Sequence, residues 1–324
     1  MKVLVTGATG FMGVRLCKAL YENGGIIRAL VLPGENYSHI NDFITEAVEG
    51  DITDPASLTR VSDDIDVVYH LAARVVDHGS YHDFYNPILN GTRNMLEACA
   101  GKADRFIYVS SFCACGTGLH LKGMKESDKC RKTGIYYGDA KLEAEQLVKS
   151  YASKFPQGYV IVRPSNVLGP GSVWVSELGG MIRDSLFSYF DGGRYSASLV
   201  HIDNLVDGLI LCGQKEQAAG QTYFFRDDWD VTWKHYIDDL ASIFGKKIHL
   251  SLPFKLAWTL GYISEKISPP FGTRPMITRH AVGLMGRDNK VDNSAAKTEL
   301  GWKTGVSYKE AMEEIKTWVE ENML

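Results

Sequence analysis

Short, nearly continuous apolar runs recur through the first half of the chain, at 2–5, 26–31, 47–49, 67–70, 105–109 and 159–163, each rich in Val and Ile. Such runs are what parallel strands buried on both faces look like. Stretches with helical periodicity lie between them, at 14–22, 55–61, 90–100 and 137–154. Repeated strand–helix alternation predicts an α/β fold built on a doubly wound parallel sheet. Beyond Arg163 the rhythm breaks at the turn cluster Gly169-Pro170-Gly171, and helical segments with scattered tryptophans follow, with Pro253, Pro269 and Pro270 in loops. The pattern predicts a sheet domain over 1–168, to which 195–213 returns as a strand and a helix. A smaller, mostly helical C-terminal lobe would take 169–194 and 214–324.

Composition narrows the picture. The 324 residues are 45% apolar and 23% charged, enough for an ordinary core in about two domains. A net charge of -4 with interspersed signs argues against nucleic acid or an anionic membrane as the main partner. The longest apolar stretch, 252–263, is broken by Lys255 and is too short for an integral membrane span. The chain enters its first strand at once, leaving no room for a signal peptide. Cys17, Cys99, Cys113, Cys115, Cys130 and Cys212 fit neither a zinc site nor a disulfide framework. Free thiols, no bound metal and a cytoplasmic location are the expectation.

The first strand runs into Thr6-Gly7-Ala8-Thr9-Gly10-Phe11-Met12-Gly13, and a helix follows. Phosphate oxygens must approach such a main chain closely, which glycine permits, and the helix start offers free N–H groups and a positive dipole end. A Rossmann-type site for NAD or NADP is expected here. Asp51 could accept the adenine amino group while Ile52 packs on the ring; equally, Asp51 could cap a helix starting at Pro55. Leu71, Ala72 and Ala73 end the fourth strand with side chains small enough for a cofactor to lie against the backbone. The end of strand two, Val31-Leu32-Pro33-Gly34-Glu35, carries neither an acid for ribose hydroxyls at the usual place nor an arginine for a 2′-phosphate. No Lys or Arg stands between Ala29 and Ala47, and Glu35 would repel a phosphate, which tips the balance to NAD. Asn36, Ser38 and His39 keep NADP open.

Tyr137 and Lys141 are spaced i, i+4 and so share one helix face. A phenol near pKa 10 needs a neighbouring ammonium to act as a base at neutral pH. The pair would move a proton at a substrate oxygen while hydride passes to or from a nicotinamide. Tyr262 and Lys266 have the same spacing but lie in the predicted lobe. A serine at the end of strand five, Ser110 or Ser111, would hydrogen-bond the substrate oxygen.

The glycine spacing, with the serines and Tyr137-x-x-x-Lys141 following in order, resembles the extended branch of the short-chain dehydrogenase/reductase superfamily, the NAD-dependent epimerase/dehydratase family. The resemblance covers most of the chain. It implies that Ser111, counted back from Gly116, is the catalytic hydroxyl beside Tyr137 and Lys141. It places Thr9, Phe11, Met12 and Asn90 on the cofactor, and Pro164 and Asn166 towards the nicotinamide and the substrate. Val200-His201-Ile202-Asp203-Asn204 matches a later motif in which His201 and Asp203 organise a loop. A homodimer formed through two helices of the sheet domain is common in the family.

Dehydratases of this branch carry an Asp-Glu pair after the hydroxyl; here Phe112 and Cys113 follow Ser111. Sugar-nucleotide enzymes carry Arg-Asp before the Val-His motif; here Ser196-Ala197-Ser198-Leu199 stands there, leaving Arg183, Arg194, Arg226 and Arg274 as candidates for a diphosphate. The apolar stretch from Leu252 to Tyr262 resembles the lobe of 3β-hydroxysteroid dehydrogenase-like and dihydroflavonol reductase-like members. It reads as a pocket wall, a core helix of the lobe or a helix lying on a membrane surface. The resemblance therefore implies an oxidoreductase interconverting a secondary alcohol and a ketone on an apolar small molecule. The alternatives are a sugar-nucleotide epimerase with tightly bound NAD and a non-catalytic dinucleotide-binding regulator.

Overall fold

The computed structural model describes residues 1–268 and 273–324; Pro269 and Pro270 lie outside them. The first half runs β1 (Lys2–Thr6), α1 (Phe11–Glu22), β2 (Ile26–Val31), β3 (Glu46–Glu49), β4 (Val67–His70), α2 (Tyr81–Tyr85), α3 (Gly91–Cys99), β5 (Arg105–Val109), α4 (Tyr136–Ser150) and β6 (Tyr159–Pro164). The second half runs β7 (Asn166–Leu168), α5 (Val173–Arg183), β8 (Tyr189–Phe190), β9 (Leu199–His201), α6 (Ile202–Gln214), β10 (Thr222–Phe225) and α7 (Trp233–Ile243). It closes with β11 (Ser251–Leu252), α8 (Phe254–Ile267), α9 (Arg279–Met285), α10 (Ser294–Leu300) and α11 (Tyr308–Asn322).

Seven strands form one parallel sheet in the order β10-β6-β5-β4-β1-β2-β3. Successive side chains point to opposite faces, and both faces are covered. Val3 and Val5 of β1, with Ile107 and Val109 of β5, join the core under α1, α6 and α10. Leu4, Phe106 and Tyr108 join the core under α3 and α4. The lobe has its own core, where Leu178 and Ile182 of α5 meet Trp233, Tyr236 and Leu240 of α7 and Ile315 of α11.

Several boundaries differ from the sequence pattern. The segment 55–61 makes only a 3₁₀ turn over Pro55–Leu58. The helix expected over 90–100 starts at Gly91, behind a π turn over Asn86–Asn90. The strand expected to return to the sheet near residue 199 pairs instead with β7, in a separate two-stranded ladder, and only α6 packs on the sheet. The seventh sheet strand is β10, within the stretch assigned to the lobe. Four residues, Thr-Tyr-Phe-Phe, carry too little periodicity to announce a strand; β10 is recognisable only once β6 offers it an edge. The apolar stretch of α8 is a core helix of the lobe on one face only: Phe254, Ala257 and Gly261 are buried, whereas Leu256, Leu260, Ile263 and Ile267 are exposed.

Arg105 ties α6 to the sheet. Its Nη1 donates to the carbonyls of Cys212 (2.9 Å), Gly213 (3.1 Å) and Lys215 (2.8 Å), and its Nε to Gln157 O (3.2 Å). The last turn of a helix leaves carbonyls without intrahelical donors, and a buried cation suits that negative dipole end. Arg105→Met should cost about 2–4 kcal/mol, because apolar burial cannot replace those donors. Urea unfolding would show it as a lower midpoint; an unchanged midpoint would remove this role.

Candidate active site

All parallel strands end at one edge of the sheet, so the turns after β1, β2, β4, β5 and β6 meet there. The turn after β1 is shaped by close backbone approach. Gly7 has φ +69°, and a Cβ on it would stand 3.0 Å from Ala72 N. A Cβ on Gly13 would stand 2.0 Å from Gly7 O, so α1 can lie this close to the strand only without a side chain. The first intrahelical bond is Val14 N to Gly10 O (3.0 Å), which leaves the amides of Phe11, Met12 and Gly13 free, and no acid stands in the first turn. This cradle fits a pyrophosphate. Phe11 packs beside Gly169, and Met12 packs on the sheet core.

Glu35, read from the sequence as a residue that would repel a 2′-phosphate, is held against the glycine loop itself. The chain folds back after β2, so that Glu35 Oε1 accepts from Thr9 Oγ1 (2.7 Å) and Oε2 from Leu32 N (3.0 Å). An acid therefore does stand over the glycine loop, four residues beyond the end of β2 instead of at it.

Asp51 is turned by Thr53, whose amide and hydroxyl both donate to Oδ1 at 2.8 Å. It is not the helix cap: Asp54 takes that role by accepting from Ala56 N (3.0 Å). Ile52 packs against Gly91. Leu71, Ala72 and Ala73 follow β4 directly. Ala72 N donates to Thr6 Oγ1 (3.1 Å), Thr6 Oγ1 bonds His70 Nδ1 (2.8 Å), His70 Nε2 bonds Thr92 Oγ1 (3.1 Å), and Thr92 donates to Ile88 O (2.5 Å). Only one set of hydrogens fits: Thr92 spends its proton on Ile88, so His70 donates from Nε2 and accepts at Nδ1. Burial, then the charge on Lys141, push this imidazole down to about 3, which keeps it neutral. Asn90 is exposed and donates to Asn86 Oδ1 (3.3 Å). Asn166 is buried, with its amide committed to Ala197 O (2.7 Å), and Pro164 closes β6 behind it.

Strand alternation separates the two serines after β5. Ser110 donates to Glu145 Oε1 (2.6 Å), inside a buried group where Arg163 Nη2 meets Glu145 Oε2 at 2.7 Å. Ser111 accepts from Cys113 N (3.2 Å) and lies beside the Tyr137 phenol, where it favours the ionised form. Gly138 lets α4 come this near, since a Cβ there would lie 2.5 Å from Cys113 O. Tyr137 is buried, whereas Tyr136 and Tyr262 are exposed.

The expected ammonium–phenol pair takes a different form. Lys141 Nζ donates to Val109 O (2.8 Å), with its charge over the Tyr108 ring at 5.0 Å. Burial pushes the Tyr137 phenol above its ordinary range, against a smaller lowering by Ser111. The same burial pushes Lys141 down to about 7, against the carboxylate of Glu145. Desolvation thus outweighs the i, i+4 spacing, and at neutral pH Tyr137 is a phenol suited to giving a proton.

The four arginines considered for a diphosphate all have protein partners: Arg183 with Asp184, Arg194 with Asp191, Arg226 with the carbonyls of Val291 and Asp227, and Arg274 with Asp77 and Glu177. Arg287, not among them, donates to Gly118 O and Gly286 O. His201 and Asp203 are likewise structural. The His201 amide donates to Asp227 Oδ2 (2.7 Å), and its Nδ1 caps α6 by accepting from Asp203 N (3.3 Å). Among the described residues, no helix is long and apolar enough to cross a membrane.

Comparisons with known proteins agree with this geometry. A family model described as the NAD dependent epimerase/dehydratase family matches residues 3–224. The 4-hydroxy-2-methyl-3-oxo-4-farnesyl-3,4-dihydroquinoline-1-oxide ketoreductase of Stigmatella aurantiaca is 27% identical, over 98% of this chain and 96% of that one. The 2-alkyl-3-oxoalkanoate reductase of Stenotrophomonas maltophilia is 25% identical over 98% of each chain. The solved UDP-glucose 4-epimerase of Thermotoga maritima superposes with a TM-score of 0.79 over 100% of both chains; at 20% identity it speaks for the fold alone.

Lys141 should be the one lysine that titrates near neutrality. Its ammonium is complete well below pH 7 and is lost as pH rises through about 7, while ordinary lysines titrate near 10.4. Lysine NMR of reductively ¹³C-methylated protein without dinucleotide should show one such midpoint, absent from Lys141→Met. A lowest lysine midpoint above 9 would refute it.

Proposed function

The chain belongs to the NAD dependent epimerase/dehydratase family, in the extended branch of the short-chain dehydrogenases/reductases, and is an oxidoreductase that uses NAD or NADP; from that premise we propose that it reduces a ketone on an apolar substrate to a secondary alcohol, with Tyr137 as the acid. The observation that carries this reading is the buried Tyr137 phenol of α4 beside Ser111 at the mouth of β5, while Ser110 is spent on Glu145. Two relatives that align over nearly their whole length are also named as reductases of 3-oxo compounds with farnesyl or alkyl substituents.

Ser111 has its oxygen engaged by Cys113 N, so its hydroxyl proton is free for the substrate carbonyl. Tyr137 holds its proton through burial and releases it as negative charge grows on that oxygen. Lys141, behind it on α4, supplies positive charge to the phenolate that remains. A reduced dinucleotide bound at the glycine loop supplies the hydride. Glu35 over that loop favours NAD, because its carboxylate suits ribose hydroxyls and opposes a 2′-phosphate. Epimerisation of a sugar nucleotide finds less support, since the candidate arginines are engaged elsewhere.

Oxidation of NADH or NADPH with a panel of long-chain 3-oxo esters and cyclic ketones tests the reading. Tyr137→Phe should lower kcat by roughly 10²–10⁴-fold with dinucleotide affinity intact, and wild-type activity in that variant would sink the mechanism. Wild type should prefer NADH over NADPH in kcat/KM. Glu35→Gln should narrow that preference by roughly tenfold, the scale of one exposed like-charge contact; a wild type that prefers NADPH would overturn the NAD assignment.

A further inference from the structure

Tyr137 is covered from the lobe by His280, the second residue of α9. The two rings meet edge to face, with centroids 5.4 Å apart at 83°. The backbone of His280 is held on both sides. Thr278 caps α9 by accepting from Ala281 N (3.1 Å), and it donates to Asp77 Oδ2 (3.1 Å) on the loop that leaves β4. Arg279 N donates to Glu265 Oε1 on α8 (2.7 Å). The imidazole itself is uncommitted: Nδ1 is sealed from solvent and has no hydrogen-bond partner among the described residues. Burial pushes the ring down to about 4, although Asp77 pulls the other way, so it is neutral at physiological pH.

A buried polar atom left unpaired costs about 1–3 kcal/mol. Such an atom calls for a partner, and a bound ligand can be one. Here the unpaired atom belongs to a rigidly mounted ring in contact with the phenol that would protonate the substrate carbonyl. A molecule whose carbonyl reaches Tyr137 can engage His280 only if it carries a second oxygen a few bonds away. That oxygen should be uncharged. Asp77 stands near the ring and stays ionised, because hydrogen bonds from His78 and Thr278 and the charge of Arg274 outweigh the effect of its burial. Its carboxylate opposes an anion, and a neutral imidazole offers no counter-charge.

We propose that His280 is a substrate-recognition residue that hydrogen-bonds a second, uncharged oxygen near the reducible carbonyl, so that the substrate class is 3-oxo esters, thioesters and related dioxygenated ketones, and not isolated ketones. This rests on the ketone-reductase reading and narrows it.

The test compares wild type, His280→Phe and His280→Gln on ethyl 3-oxohexanoate and on 4-nonanone, which has the same chain length without the ester oxygens. His280→Phe keeps the ring contact with Tyr137 and removes the nitrogens. Its kcat/KM on the ester should fall about 10- to 100-fold, mainly through KM, while 4-nonanone changes less than about threefold. His280→Gln, which keeps a donor, should recover part of the loss on the ester. Equal losses on both substrates would make His280 a mere support for Tyr137 and overturn the recognition role, leaving the reductase intact. Turnover of neither compound by wild type would bring down both readings. Should His280→Phe fail to fold, His280→Leu makes the same comparison.

Discussion

A contact between backbone and backbone governs how this protein is assembled. The first helix lies so close to the first turn that a single methyl on Gly13 would stand 2.0 Å from the carbonyl of Gly7. That approach sets the angle at which α1 leaves the sheet, and with it the direction of the free amides at its start. Gly7 meets the backbone of Ala72 in the same way, so the ends of β1 and β4 are locked at one level. The dinucleotide cradle is thus a packing feature first. Its chemistry follows because backbone packed without side chains exposes its own N–H groups.

Polar groups at this sheet edge fall into two sets, and the division defines the site. One set is closed. Thr6, His70 and Thr92 form a chain in which every proton has a place, and Ser110, Glu145 and Arg163 form a buried charged group between α4 and β6. Such networks hold the strand ends at fixed positions, although Nη1 of Arg163 is left without a partner among the described residues. The other set is open: the amides at the start of α1, the Ser111 hydroxyl, the Tyr137 phenol and Nδ1 of His280. Burial, and not a neighbouring charge, governs the proton affinities here. It raises Tyr137 and lowers Lys141, so the phenol is a better acid reservoir than base.

The lobe adds what the sheet cannot supply. Its α9 brings His280 onto Tyr137, and its α8 lays Trp258 over Gly118, where a Cβ would come within 2.6 Å of the indole. The bonds of Asp77 to Thr278 and Arg274 clip the lobe to the loop after β4. The proposed recognition residue therefore sits at an interface between two cores, while the proposed acid belongs to one.

Much of this was legible in the sequence. Six of the seven sheet strands and the glycine loop could be read from local pattern, because buried parallel strands and a glycine turn are determined by neighbours along the chain. Tertiary structure alone decided the rest. β10 is a strand only because β6 has an open edge. Glu35 reaches Thr9 only because the chain folds back after β2. Ser110 and Ser111 are told apart only by what α4 sets against each, Glu145 against the first and Tyr137 against the second. The state of the Tyr137–Lys141 pair is set by desolvation, a property of every group packed around it. His280 lies 143 positions from Tyr137 in a chain of 324, and no local pattern connects them; the fold does, because the lobe must close over the strand ends to bury its own apolar face.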